Sequence, residues 1–239
     1  MAPRVGVGAS SATDVVLTLR SAGSQAGPLT VRVSGLVLAG YTGRDRASVL
    51  AHIAELEKVG VAPPVRVPSV FVVPPRLALV ADSIDVSDMR TSGEVEFVLI
   101  SSNGGRLVGV GSDHTDRALE AIDIDRAKAA CPKVIGPAVW RYDEVAPHWD
   151  RLELRSWSTL AGTRRLYQEG TLAEFLEVDR LTAELDTLGH PDGAGRVLFG
   201  GTLPLRSGGF EFGERFEAEL HDPVLRRSLR VAYAVRQTA

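Results

Sequence analysis

Apolar residues in this chain recur mostly at every second position, the spacing that lines one face of a β-strand. Residues 15–20 and 29–39 alternate in this way around a turn at 23–28. Residues 134–140, 152–157, 164–168, 196–200, 215–220 and 229–235 read as further strands. Helical spacing is rarer. Val49, Leu50, Ile53 and Leu56 form a stripe over residues 46–59, with Asp45 placed to cap the helix and Gly60 to end it. A second helix is predicted from Thr115 towards Ala130. A third is opened by the capping box Thr171-Leu172-Ala173-Glu174 and ends before Gly189. Residues 61–75 hold five prolines and read as an extended connector or edge strand. Strands dominate, so the predicted class is α+β, mostly β, with a few flanking helices.

The sharpest pattern lies at residues 93–117. Val95, Phe97 and Leu99 alternate before an Asn103-Gly104 pair, and residues 107–110 supply β-formers after it. Asn-Gly predicts a two-residue hairpin with a type I′ turn, which needs φ > 0 at both central residues. Ser102 then pairs with Gly105, Glu94 faces Asp113, and Glu96 faces Gly111. Opposed residues and residues two apart share a face, so Glu94, Glu96 and Asp113 converge on one side of a ribbon. Such like charges repel in water-filled surroundings, yet the same face carries Val98, Ile100 and Leu107, which should be buried. Gly109 and Gly111 are expected to leave open space above the pleat. Three hard oxygen ligands suit Mg²⁺, Mn²⁺ or Ca²⁺ better than zinc.

Composition narrows the class. A chain of 239 residues with 44% hydrophobic and 24% charged residues has the apolar content for a sizeable core. A net charge of -3 and a pI near 6.0 give no reason to expect a nucleic acid partner. The single cysteine, Cys131, allows no internal disulfide and fits a reducing compartment. Residues 65–80, the most apolar stretch, are interrupted by Pro68, Pro74 and Pro75, so no membrane span is expected and cytoplasmic is the default. Residues 1–35 are expected to be extra strands packed on a main body formed by residues 36–239.

The order of motifs resembles the fumarylacetoacetate hydrolase (FAH) superfamily. Gly43-Arg44-Asp45 is followed by His52-Ile53-Ala54-Glu55, then by the proline-rich segment and Glu94-Val95-Glu96. Asp113-His114-Thr115-Asp116-Arg117 comes next, then Lys128 ahead of Cys131-Pro132 and Gly136-Pro137, then Gln168-Glu169-Gly170-Thr171 and Gly201-Thr202-Leu203-Pro204. The resemblance spans residues 36–239. It departs where a tight turn replaces a helical segment between the Glu pair and Asp113, and where Leu203 is inserted into a Gly-Thr-Pro signature.

The resemblance implies an FAH-like mixed β-sandwich roll, a homodimer, and a Mg²⁺ or Mn²⁺ site made by Glu94, Glu96 and Asp113, the trio the hairpin register had already brought together. It implies a small 2-oxo acid or 1,3-dicarbonyl substrate, whose enolate the metal stabilises as a Lewis acid. The leading expectation is hydrolysis of a C–C bond in an acylpyruvate-like acid. The alternatives are a hydratase, dehydratase, decarboxylase or tautomerase at the same site, or a non-catalytic small-acid binding scaffold. His52 and Glu55, three apart on a helix, form an implied catalytic pair for activating water. Lys128 is implied to hold the substrate carboxylate or supply a proton. Arg44, Arg117, Gln168 and Thr202 are implied substrate contacts. His114 points away from the trio by alternation; His148, His190 and His221 read as surface residues, and the three tryptophans as core or contact residues.

Overall fold

Seventeen strands carry the architecture seen in a computed structural model, which describes residues 12–21, 27–58 and 63–238. In chain order they begin β1 (Thr13–Leu19), β2 (Gly27–Val33), β3 (Gly35–Gly40), β4 (Ser69–Val73), β5 (Ala78–Leu79), β6 (Ser83–Val86) and β7 (Thr91–Ser92). Then come β8 (Val95–Ser102), β9 (Gly105–Asp113), β10 (Thr115–Asp116), β11 (Lys133–Ile135) and β12 (Ala138–Arg141). The last are β13 (Glu153–Leu160), β14 (Thr163–Thr171), β15 (Arg196–Thr202), β16 (Arg215–Asp222) and β17 (Arg227–Gln237). The helices are α1 (Arg46–Lys58), α2 (Arg117–Glu120), α3 (Ile124–Ala130), α4 (Tyr142–Val145) and α5 (Val178–Thr187). No helix among the described residues is long and apolar enough to cross a membrane.

A ten-stranded mixed sheet runs β2-β1-β12-β9-β8-β15-β3-β4, with β11 and β5 branching from β9. A five-stranded sheet, β14-β13-β16-β17-β6, packs against one of its faces. β8 lies inside the large sheet and is buried along nearly all its length. Its odd residues Val95, Phe97 and Leu99 join the core shared with the second sheet and α5. Its even residues Val98 and Ile100 join a second core with Leu107, Ile135 and Phe199. Burial on both faces explains why this strand has few polar positions, and it makes the buried Glu96 conspicuous. β1 enters the same sheet by parallel pairing with β12.

The hairpin register is the predicted one, with Ser102 opposite Gly105 and Glu96 opposite Gly111. Its turn differs. Positive φ falls on Gly105 (+105°) and on neither Asn103 nor Gly104, so the turn is not type I′. The Ser102 hydroxyl accepts the Gly104 N–H and donates to the Gly105 carbonyl, and this side-chain bridge stabilises another geometry.

Other boundaries move for local reasons. The predicted 115–130 helix is interrupted: Thr115 lies in β10, while Asp116 and Asp123 cap α2 and α3 by accepting the Leu119 and Arg126 N–H groups. The capping box at Thr171 is present but closes only a 3₁₀ turn, Leu172–Glu174, and α5 begins at Val178. The 29–39 strand is broken at Ser34 into β2 and β3. On α1, Asp45 caps as expected and Ile53 is buried, but Leu50 is 49% exposed. The predicted turn at 23–28 and the stop at Gly60 fall largely outside the described residues.

Candidate metal centre

The trio forms where the β8–β9 ribbon opens. Asp113 ends β9, and its N–H donates to the Glu94 carbonyl at 3.0 Å, which continues the ladder one pair beyond β8. One carboxylate oxygen each from Glu94, Glu96 and Asp113 lies within 4.8 Å of the other two. Glu96 and Asp113 are buried and Glu94 is half-buried.

The end of β15 holds Glu96 in place. A bulge between Phe199 and Thr202 brings the Gly201 N–H to Glu96 Oε2 at 2.7 Å. Only glycine serves there: φ is +110°, and a Cβ would lie 2.0 Å from Thr42 Oγ1. Gln168 ties the same junction together. Its Oε1 accepts from the Val95 N–H (3.0 Å) and Ser156 Oγ (2.9 Å), while Nε2 donates to Thr202 Oγ1 and the Leu203 carbonyl (both 2.7 Å).

Three cations surround the trio. Lys128 Nζ donates to Asp113 Oδ2 at 2.6 Å and to Glu94 Oε2 at 3.1 Å. Lys133 lies directly opposite Asp113 in the β11–β9 pair, with Nζ 2.6 Å from Asp113 Oδ1 and donating to the His114 carbonyl at 2.6 Å. Arg117 Nη2 is 3.1 Å from Glu94 Oε1, its other nitrogens donate to Ser92 Oγ and Glu120 Oε2 (both 2.7 Å), and Phe210 covers its guanidinium at 4.1 Å.

These charges divide the acids. Burial pushes Asp113 up, but Lys128 and Lys133 outweigh it and hold the carboxyl far below the usual range. Burial likewise opposes Arg117 and Lys128 at Glu94, and the cations win. Glu96 goes the other way: burial first, then Asp113 and Glu94, push it well above the ordinary carboxylate value. Lys128 is held above its usual value because Asp113 and Glu94 overcome its burial, whereas burial of Lys133 lowers it despite Asp113.

The donor set fits a divalent cation. Among the described residues Glu96 has no ion-pair partner and only the Gly201 N–H bonded to its carboxylate. A buried carboxylate without a cation in direct contact is costly to ionise, and two further acids beside it raise that penalty. A hard cation shared by all three removes it.

The structure sorts the remaining predicted residues. His52 and Glu55 fall on α1, and their side chains lie outside the described residues. Arg44 is bound in a fork to Asp150 (2.7 Å at both nitrogens) and donates to the Phe175 carbonyl, outside the bonds of the trio. Gln168 has no exposed surface and makes four amide hydrogen bonds, so it builds the junction. The Thr202 hydroxyl donates to the Val95 carbonyl at 2.9 Å and belongs to the same scaffold. The open space expected over Gly111 is filled: a Cβ there would lie 2.7 Å from Phe199, 2.8 Å from Val98 and 2.9 Å from the Val134 carbonyl. His114 does point away, with its ring nitrogens bonded to Tyr233 Oη (2.9 Å) and Thr91 Oγ1 (2.8 Å). His148 is not a free surface residue; its Nε2 pairs with buried Asp222 at 2.9 Å.

Two residues near the trio were missed. Lys133 precedes a predicted strand, and only the cross-strand register shows that it faces Asp113. Tyr41 takes a left-handed φ of +55°, and its hydroxyl is pushed up by burial, with the Glu120 and Glu94 charges adding. Two surface clefts, of about 490 and 390 Å³, lie elsewhere and contain no member of the trio.

Residues 39–233 match the family described as "Protein of unknown function (DUF2848)". Comparison with the curated proteins gives no match. Among solved structures, the apo form of 2-keto-3-deoxy-D-arabinonate dehydratase is similar with a TM-score of 0.61 and 21% identity, over 87% of this chain and 74% of that one. The same dehydratase complexed with magnesium and 2,5-dioxopentanoate gives 0.56 and 19%, over 85% and 73%. A proposed fumarylpyruvate hydrolase from Burkholderia cenocepacia gives 0.60 and 17%, over 93% and 92%. The chain shares the fold of these proteins and of a proposed fumarylacetoacetate hydrolase family protein from Yersinia pestis CO92 (TM-score 0.58, 16% identity, over 85% and 93%), mostly β and of the α+β class.

Proposed function

The chain belongs to the DUF2848 family, and we propose that it is a metal-dependent enzyme acting on small 2-oxo or 1,3-dicarbonyl acids. The observation that carries this reading is the convergence of Glu94, Glu96 and Asp113, with no cation among the described residues in ion-pair contact with Glu96. When bound, Mg²⁺ or Mn²⁺ would supply Lewis-acid stabilisation of an enolate, worth several kcal/mol.

The chain's own residues do the rest. Gly201 fixes Glu96, Lys133 fixes Asp113, and Arg117 holds Glu94, so the three carboxylates are oriented before ligand arrives. Lys128 sits beside the half-buried Glu94 and would hold a substrate carboxylate or carry a proton at the carbon next to the keto group. For C–C hydrolysis, His52 and Glu55 on α1 would activate water, a step worth roughly 10²- to 10⁴-fold. Arg44 is then a brace on Asp150 that anchors the segment leading into α1.

Dehydration is the second reading, favoured by the similar fold of a dehydratase seen with magnesium and 2,5-dioxopentanoate. It needs proton removal beside the keto group but no attacking water. A panel of 2-oxo acids and acylpyruvates, run with metal-stripped and metal-reloaded protein, tests both. Turnover should require metal and fall by at least about 100-fold in Glu96→Gln. His52→Ala should abolish hydrolysis yet leave dehydration or decarboxylation largely intact. No metal-dependent turnover of any member would refute the enzyme reading and leave a binding scaffold.

A further inference from the structure

We propose that the Lys128 ammonium is the trio's exchangeable counter-ion: a divalent metal takes its place and frees the amine for substrate, while Lys133 stays as the permanent one. This rests on the trio being a metal site. Lys128 Nζ bridges two of the three acids, 2.6 Å from Asp113 Oδ2 and 3.1 Å from Glu94 Oε2, with Thr115 Oγ1 at 3.4 Å. A cation shared by Asp113 and Glu94 must therefore compete for those oxygens, since two positive charges so close repel strongly.

The two lysines differ in their freedom to move. Lys133 is fully buried, touches only Asp113 within the trio, and is also held by the His114 carbonyl from a strand inside the large sheet. Lys128 extends from α3, a helix of seven residues, and its side chain keeps 9% exposure beside the half-buried Glu94. Swinging Lys128 outward breaks only side-chain bonds; moving Lys133 would strip a buried ammonium of both partners. The folded protein therefore carries its own stand-in cation, and metal loading and delivery of the lysine become one event.

Titration calorimetry of the EDTA-treated full chain with Mg²⁺ tests this, using wild type, Lys128→Met and Lys133→Met. Removing the competitor should tighten Mg²⁺ binding by about tenfold in Lys128→Met, and Lys133→Met should show no such gain. In wild type, acetic anhydride labelling read by mass spectrometry should modify Lys128 several-fold faster with Mg²⁺ present, with Lys133 protected throughout. Labelling alone decides the matter if Lys128→Met does not fold. Mg²⁺ binding to wild type that is no tighter in Lys128→Met, or Lys128 labelling that Mg²⁺ leaves unchanged, overturns the exchange but keeps the metal site. No binding of Mg²⁺ or Mn²⁺ by any of the proteins overturns the metal reading itself.

Discussion

Replacing Gly201 by alanine should damage the fold and the site together. At φ +110° an L-residue is strained by about 1–3 kcal/mol. The new Cβ would also lie 2.0 Å from Thr42 Oγ1, and overpacking of that kind costs about 1–3 kcal/mol. Together these predict a loss of about 2–6 kcal/mol, or roughly 4–24 °C in melting temperature for a chain of this size. Urea denaturation of Gly201→Ala, Thr42→Ala and the double variant separates the two contributions. Thr42→Ala alone loses the hydroxyl bond to the Gly200 carbonyl, about 1 kcal/mol. The double variant should recover the stability lost to the clash but not that lost to the strain, a coupling of about 1–3 kcal/mol. Because Gly201 supplies the N–H bonded to Glu96, Mg²⁺ affinity should fall as well. A loss under about 1 kcal/mol, or strict additivity in the cycle, would refute the close-approach argument.

Gly111→Ala should cost about 1–3 kcal/mol in the same assay, because Phe199 and Val98 fill the space and the Val134 carbonyl blocks retreat; a neutral effect would restore the idea of an open floor. Mg²⁺ at 100 times its Kd should stabilise wild type by about 2.7 kcal/mol in denaturant unfolding, and Glu96→Gln by none. Burial depresses His114 to about 3, so its protonation favours the unfolded chain. Its contribution is complete above the unfolded value of 6.5 and is lost as pH falls towards 3, by up to about 1.4 kcal/mol per pH unit. His114→Asn should flatten this part of the stability–pH curve, and an unchanged slope would exclude His114 as its source.

Much of the trio was legible because it depends on one local pairing. The alternation of Val95, Phe97 and Leu99 and an Asn-Gly turn fix a register that carries Glu94, Glu96 and Asp113 to one face. The turn type was misjudged since a serine hydroxyl, and not backbone preference alone, shapes the loop. What depends on distant pairing was not legible. Lys133 meets Asp113 only through the β11–β9 register, and Gly111 is filled by Phe199 from β15. Helix limits failed for a related reason: the signal at Thr171 caps whatever turn follows, and here the chain makes one turn of 3₁₀ before α5 begins.

Anomalous diffraction from crystals soaked in Mn²⁺ tests the central claim most directly. A single strong peak between the Glu94, Glu96 and Asp113 carboxylates is the predicted result, with the Lys128 amine moved off Asp113. Manganese bound elsewhere, or those carboxylates still bridged by Lys128 at saturating metal, would contradict it.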